Sequence, residues 1–509
     1  MRPAYLPWLR HWPEAAALGA GGSTVLGFAP YALAPLALLG PAILFRLWLG
    51  SDRRRAFLLG WLYGVGLMGF GVFWIRISID QFGGVGTPLA VTIAIAFALA
   101  MALYYGLAGW VAATLARGRP AASLLLVFPS VWVLAEWLRG WFLTGFPWLA
   151  LGYSQIDAPL SGLAPWLGVY GVSLGVALSA GLLACLATPA CARRYAATAG
   201  LALLWGLAAV GGGLEWGRPA GEPFRASVVQ GNVEQELKWR PEALRPTLVT
   251  YLDLTEEAGD SRLVIWPETA VPAFAHSVED LLLAPLEAEA RATGRDMLVG
   301  VPLLEGDERY YNAMLALGAS GRADYRKRHL VPFGEFLPFK QVLEPLLQFL
   351  SIPMSDFNAG PRDRKPLLTL AGHPAGISIC YEDAFAEEVR DALPEAAFLV
   401  NASNDAWFGD SLAPHQHLEI ARMRAKETGR YMLRATNTGI SAVIGPHGEL
   451  IAKTPLFARA VLSERVEPRA GSTPFVWLGN AGVLAVAVAG LLAGALPARL
   501  RRVPARPEA

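Results

Sequence analysis

Apolar segments long enough to cross a bilayer fill the first 215 residues and constrain everything else about the chain. They run at about 12–29, 31–49, 56–78, 88–116, 121–139, 163–188 and 195–213, and an eighth covers about 475–496. Each is long enough to cross the ~30 Å hydrocarbon core as a helix. With 54% of its 509 residues hydrophobic and only 17% charged, the chain is too apolar for a soluble enzyme of this size. The first segment is read as a span and not as a cleaved signal, because no small-residue cleavage site follows it and another apolar segment begins at once.

Arginine placement predicts the orientation. Arg2, Arg10, Arg53, Arg54, Arg55, Arg117, Arg119, Arg193, Arg194, Arg499, Arg501, Arg502 and Arg506 fall on one side, whereas short connections on the other hold only Arg76 and Arg139. The positive-inside rule makes the first side cytoplasmic. Eight spans then leave both termini inside and residues ~215–474 outside, which in a Gram-negative cell is the periplasm. Net charge is only +1, so nothing favours a nucleic-acid partner. Two outward connections stand out: 76–87, with Asp80, Gln81 and three glycines, and the aromatic stretch 141–159, which contains Trp148. The aromatic stretch reads either as an interfacial belt or as a lipid-facing lip beneath the outer domain.

From about Pro223 apolar runs of four to eight residues alternate with amphipathic, charged stretches. Strands are predicted at 226–230, 263–266, 297–301, 313–317, 376–380, 397–401 and 441–444, and helices at about 241–258, 278–293, 384–392 and 415–429. That alternation argues for an α/β domain of about 250 residues.

Three stretches of this domain end apolar runs in ionisable residues: Trp266-Pro267-Glu268, the run Tyr325 to Glu335 with Lys327 inside it, and Cys380-Tyr381-Glu382. Cys380 is the only cysteine in the polar part; Cys185 and Cys191 close an apolar segment, and no CxxC metal pattern exists. A thiol at a strand end is a candidate nucleophile that needs a base, since the thiolate is the reactive form. A carboxylate in an apolar pocket can take that proton, and a lysine can stabilise an oxyanion. Each residue also has a plainer reading. Cys380 fits a buried hydrophobe, Glu268 a solvated strand end, Lys327 a basic surface run, Glu335 its ion-pair partner, and Tyr381 and Glu382 ordinary turn residues. His415 and His417 lie two apart, on different faces of a helix, and no zinc site is assigned. Asn312, Asn401 and Asn404 border strands and read either as plain structural residues or as groups that position backbone or ligand.

Taken together, these motifs resemble the nitrilase superfamily over residues 224–468. That resemblance implies an αββα sandwich with a Glu268–Lys327–Cys380 triad. The same domain set between seven spans and an eighth is similar to the apolipoprotein N-acyltransferase family. The residues that carry this are Val229-Gln230-Gly231-Asn232, Lys238-Trp239, Trp266-Pro267-Glu268, Lys327, Leu330-Val331-Pro332-Phe333-Gly334-Glu335 and Cys380-Tyr381-Glu382. It implies four parts: a seven-span membrane domain at 1–215, a periplasmic catalytic domain at 216–472, an eighth helix at 473–497 and a cytoplasmic tail at 498–509. It also implies ping-pong acyl transfer without a cofactor or metal. A phospholipid, typically phosphatidylethanolamine, would give its sn-1 chain to Cys380, and the amine of a diacylglyceryl apolipoprotein would accept it. Glu335, Tyr381 and Glu382 would support the triad, with Trp239 on a mobile loop that gates or contacts lipid; Asn312 and Trp148 are further supporting or substrate-binding candidates. A monomer in the inner membrane is expected.

Two other readings stay in view. A membrane-tethered amidase would use the same three residues, but a tether needs one span and not eight. A transporter would line its path with intramembrane charges, and the spans offer chiefly Arg46, Glu136 and Arg139. Glu136 is left without a role.

Overall fold

A computed structural model describes residues 11–116, 118–189, 191, 194–306, 309–343 and 356–495. The orientation arginines Arg2, Arg10, Arg117, Arg193, Arg499, Arg501, Arg502 and Arg506, and the tail at 498–509, lie outside the described residues.

Among the described residues, four helices are long and apolar enough to span a membrane: Thr87–Leu115, Pro120–Arg139, Pro159–Leu186 and Tyr195–Gly212. A fifth candidate is the pair Arg53–Gly71 and Ile75–Gln81, bent by 55°. The segments predicted at 12–29, 31–49 and 475–496 appear as shorter helices, Trp12–Thr24, Ala34–Trp48 and Asn480–Ala495. At about 1.5 Å per residue these do not by themselves cover ~30 Å of hydrocarbon. The first is interrupted by the tight turn Val25–Gly27, which a count of apolar residues cannot register. Glycines bring neighbouring helices together: a Cβ at Gly60 or Gly109 would collide with the carbonyls of Tyr105 and Ala56. Cys185 and Cys191 form a disulfide, and Cys380 is the free cysteine.

The stretch between helix Arg194–Gly212 and helix Asn480–Ala495 holds two six-stranded sheets. The first runs in the spatial order Ala460–Val466, Phe224–Gln230, Leu263–Ile265, Asp296–Gly300, Ala313–Gly318, Ala323–Arg326. The second runs Leu450–Lys453, Ala442–Ile444, Met432–Thr436, Phe398–Ser403, His373–Ile379, Leu367–Leu370. In each, three neighbouring strands are parallel and the outer ones antiparallel.

Side-chain alternation explains the layering, because successive strand residues face opposite sides. Ala226, Val228, Leu263 and Ile265 pack with Ile377, Ile379, Val400 and Ala402 between the sheets. Val229, Val264 and Trp266 point the other way, onto Leu248, Tyr251 and Leu254 of helix Pro241–Glu257. On the far side Leu399, Met432 and Ile444 meet Leu418, Ala421 and Ala425 of helix Ala413–Thr428. Helix, sheet, sheet, helix is the predicted sandwich. Several strands went unpredicted, among them Met432–Thr436, whose apolar run Arg434 interrupts. The predicted helix at 278–293 begins as a wide turn, Glu279–Leu283, before Ala284–Ala292.

Helix Ala413–Thr428 joins the two halves. Its apolar face lies on the second sheet, while its polar face is buried against the membrane part. There Gln416 Oε1 accepts from Trp74 and Trp148, Glu419 accepts from the Ala29 amide, Arg422 pairs with Asp157, and Glu427 accepts from the Val169 amide. A polar helix face normally implies water; here it implies a second domain.

Candidate active site

Cys380 is the first residue after strand His373–Ile379, which stops one position short of the predicted end at Cys380, and it opens the tight turn Cys380–Ala384. Its φ is +50°, a conformation that costs a non-glycine residue about 1–3 kcal/mol and persists only where surroundings enforce it. Two side chains do so. Asn401 Nδ2 donates to the Cys380 carbonyl at 3.2 Å. Glu382 accepts from the Ile379 amide at 2.7 Å, from Arg328 and His329 amides at 2.6 and 3.1 Å, and from the Tyr325 hydroxyl at 3.0 Å. Glu382 therefore clamps the Cys380 turn to the segment that carries Lys327. Burial pushes its carboxyl up, to about 7, against the pull of those amides and of Lys327.

Lys327 directly follows strand Ala323–Arg326, and Glu268 lies three residues past Leu263–Ile265. Both side chains are buried and face each other at 3.3 Å. Lys327 Nζ also meets Glu335 Oε1 at 2.8 Å, and Asn312 Nδ2 bridges Glu268 and Glu335 at 2.7 and 3.0 Å. The other Glu335 oxygen accepts from the Val331 amide. Burial alone would lower the lysine's pKa, but Glu268, Glu335 and the Cys380 sulfur outweigh it and hold Lys327 well above its ordinary value. The Cys380 thiol is pushed well up, first by burial and then by Glu268, against the opposing charge of Lys327. The resting site thus keeps a neutral thiol beside a lysine cation. For such a thiol to act as a nucleophile it would need a base beside it to take the proton.

The remaining predicted residues fall in different places. Tyr381 is buried, its hydroxyl donating to the Gly145 carbonyl at 2.9 Å and its ring stacked on Trp148 at 6.2 Å. Trp148 is itself buried and donates to Gln416, so it forms the floor between the two halves and is not part of an exposed lip. The exposed large hydrophobics of that stretch are Trp141, Phe142 and Leu143. Trp239 is partly exposed, ahead of helix Pro241–Glu257. Its neighbour Lys238 is buried with Nζ 3.5 Å from the Glu268 carbonyl, and burial lowers its pKa to about 8 despite Glu268. Sequence reading used Lys238 only as part of a motif.

A second polar group was not foreseen as a group, although His417 and Asn401 were each noted singly. His417 lies between Asp383 at 2.8 Å and Asp405 at 2.9 Å, while Arg434 bonds Asp383, Asp405 and Asn401. All are buried. Burial and Arg434 pull the His417 pKa down, but the two aspartates outweigh them and leave it at about 9. Through Asn401 this network ends on the Cys380 carbonyl. Its members lie far apart in sequence, and no local signal joins them. Glu136 also gains a place: it accepts from Trp132 Nε1 at 2.8 Å and the Leu151 amide at 2.9 Å, while Arg139 donates to the carbonyls of Phe146 and Trp148. The pair fixes the loop beneath Tyr381.

Known proteins agree with this division. Residues 20–182 match the family described as the apolipoprotein N-acyltransferase N-terminal domain, and residues 225–474 match the carbon-nitrogen hydrolase family. The chain is 49% identical over 467 residues to the apolipoprotein N-acyltransferase of Methylococcus capsulatus, covering 91% of this chain and 92% of that protein. It is 44% identical to the protein of that name from Nitrosomonas europaea, covering 95% and 97%, and 43% identical to that of Azotobacter vinelandii, covering 91% of each. A nitrilase-like domain joined to apolar helices, with this similarity along nearly the whole length, means that the chain belongs to the apolipoprotein N-acyltransferase family.

Proposed function

We propose that this chain N-acylates lipoproteins by a ping-pong reaction in which Cys380 carries the acyl group. The observation that carries the reading is the buried Glu268–Lys327–Asn312–Glu335 cluster beside Cys380, in a domain docked on apolar helices. Glu268 takes the thiol proton as sulfur attacks the sn-1 ester carbonyl of a phospholipid, phosphatidylethanolamine in this reading. Lys327 neutralises the oxyanion. The ester C–O bond breaks, the lysophospholipid oxygen takes the proton from Glu268, and a thioester remains. The α-amine of an S-diacylglyceryl cysteine then attacks that thioester. Glu268 receives the amine proton and returns it to the departing sulfur. Asn312 and Glu335 hold the Glu268–Lys327 pair, Glu382 holds the turn, and Trp239 contacts lipid at the rim.

The accompanying topology is eight spans with boundaries at 1–215, 216–472, 473–497 and 498–509. Both termini are cytoplasmic, the catalytic domain is periplasmic, and the chain acts as a monomer in the inner membrane. Two lipid-linked substrates support a site facing one leaflet, since pulling a chain from the bilayer costs about 0.8 kcal/mol per CH₂. Family membership does not favour a small-amide hydrolase.

The test is intact mass after incubation with phosphatidylethanolamine alone. Wild type should gain one hydroxylamine-sensitive acyl chain and Cys380→Ala none. A wild type that neither gains mass nor releases lysophospholipid would rule out this donor.

A further inference from the structure

Strands His373–Ile379 and Phe398–Ser403 run parallel, with Ser378 opposite Asn401 and Ile379 opposite Ala402. Opposite residues share a face of the sheet, and Asn401 Nδ2 donates to Ser378 Oγ across the pair at 3.1 Å. One step further in the same register brings Ser403 level with Cys380, where the first strand gives way to its turn. Ser403 is fully buried, and its Oγ donates to Asp405 Oδ1 at 2.9 Å. Burial pushes the Cys380 thiol up first, then Glu268 and Asp405; Lys327 and a hydrogen bond with the Ser403 hydroxyl pull against them. The charged groups acting on the sulfur are therefore Glu268, Lys327 and Asp405, and Ser403 is the neutral donor among them.

A hydroxyl carries one proton and serves one acceptor at a time. Two acceptors compete for this one. Asp405 can spare it, because its Oδ1 also meets His417 Nδ1 at 2.9 Å and its Oδ2 accepts from Arg434 Nη2 at 2.9 Å. A neutral thiol needs no donor, whereas a thiolate kept from water does.

We propose that Ser403 is a thiolate-stabilising donor whose hydroxyl swings from Asp405 to the Cys380 sulfur as the thiol loses its proton, and returns to Asp405 once the sulfur is acylated. Ser403 keeps its own proton throughout: the thiol proton goes to Glu268, and no bond of the serine forms or breaks. The inference rests on Cys380 being the nucleophile of the proposed acyl transfer. It also gives His417 and Arg434 a second task, since these two cations are what let Asp405 release its third donor.

Full-length Ser403→Ala protein in detergent should fold, because Asp405 keeps His417 and Arg434, and its melting temperature should fall by only a few degrees. Single-turnover thioester formation from phosphatidylethanolamine should slow about tenfold at pH 7, the low end of what a hydrogen bond to a charged group supplies, with the dependence on phospholipid concentration unchanged. Alkylation by iodoacetamide without phospholipid, read as intact mass with Cys380→Ala as the blank, reports the thiolate alone. At each pH between 7 and 9 its rate should be several-fold lower in Ser403→Ala than in wild type. That loss is smaller than in acyl transfer, because a less stabilised thiolate is also a stronger nucleophile. Ser403→Thr keeps the hydroxyl and should restore both rates. Wild-type alkylation by Ser403→Ala, or a folded Ser403→Thr as slow as Ser403→Ala, overturns the proposal. Should the added methyl of Ser403→Thr prevent folding, alkylation of Ser403→Ala decides alone. A wild type that is alkylated but forms no thioester defeats the phospholipid reading and leaves the alkylation comparison to decide the role of Ser403.

Discussion

Each sheet brings its own set of buried charges to Cys380, and the two sets behave differently. The first sheet supplies Glu268 and Lys327 just past its strand ends, with Asn312, Glu335 and Lys238 beside them. The second supplies Arg434 from a strand, with Asp383, Asp405 and His417 around it. In the second set two anions face two cations, and the protons are locked: His417 stays charged to about pH 9, and Asp405 is held well below its ordinary value by His417 and Arg434 despite its burial. Around the first set the shifts come from the members acting on one another: burial and Glu268 raise the Cys380 thiol, Glu268 and Glu335 hold Lys327 up against its burial, and burial brings Lys238 down to about 8. Perturbed groups coupled to a candidate nucleophile fit a place where protons move; a histidine locked between two aspartates fits a scaffold. Similar burial thus serves chemistry in one set and shape in the other.

The sharpest way to break that distinction is Arg434→Met. Removing one partner of a buried charge network costs about 3–5 kcal/mol, because the other charges stay behind. The full-length variant in detergent should melt well below wild type, yet at low temperature its folded fraction should still form the thioester. A variant that is stable but inactive would move Arg434 into the chemistry.

Lys327→Met tests the opposite set. Losing one oxyanion donor costs about 10²–10³ in rate, so thioester formation should slow by that factor in single-turnover mass measurements. Because Glu268 and Glu335 would share a buried site without their cation, a further expectation is partial rescue of folding at lower pH, where one of them takes a proton. Unchanged thioester formation would leave Lys327 a mere ion-pair partner.

Reading the sequence singled out Glu268 and Cys380 because each ends an apolar run, whereas Lys327 and Glu335, in a basic stretch, joined them only through the family resemblance. The second set left no such trace. Arg434 interrupts the only apolar run that would have announced its strand, and Asp383, Asp405 and His417 meet only once the sheet is assembled. Helix 413–428 was legible as a helix, but its polar face looked like a solvent face until Trp74, Trp148 and Ala29 were seen against it. Hydropathy found the apolar segments of the membrane part and missed their breaks, such as the 55° bend after Gly71. An average over residues carries no information about direction.

Titration separates the two sets without any substitution in the first. The folded pKa of His417, about 9, lies above its ordinary 6.5. Its contribution is therefore complete below about pH 6.5 and is lost as pH rises through about 9, a change on the order of 3 kcal/mol. Thermal melting of the full-length protein should show a decline between pH 7 and 10 that His417→Asn, though less stable throughout, lacks. A decline of equal size in His417→Asn would assign it to other groups.

The smallest expected effect lies where the two halves touch. The Tyr381 hydroxyl ties the turn after Cys380 to the Gly145 carbonyl in the membrane part, while its ring stays packed by Trp148, Phe385 and His329. Tyr381→Phe keeps the ring and deletes one hydrogen bond, which is worth about 1 kcal/mol. If the second sheet's network holds the Cys380 turn unaided, the rate of thioester formation should change less than about fivefold, and melting should fall by only a few degrees. If the rate falls much further while melting does not, the membrane loop is setting the position of the sulfur. The chemistry would then be shared across the domain junction, and the division between a reacting set and a holding set would have to include Gly145 and its loop.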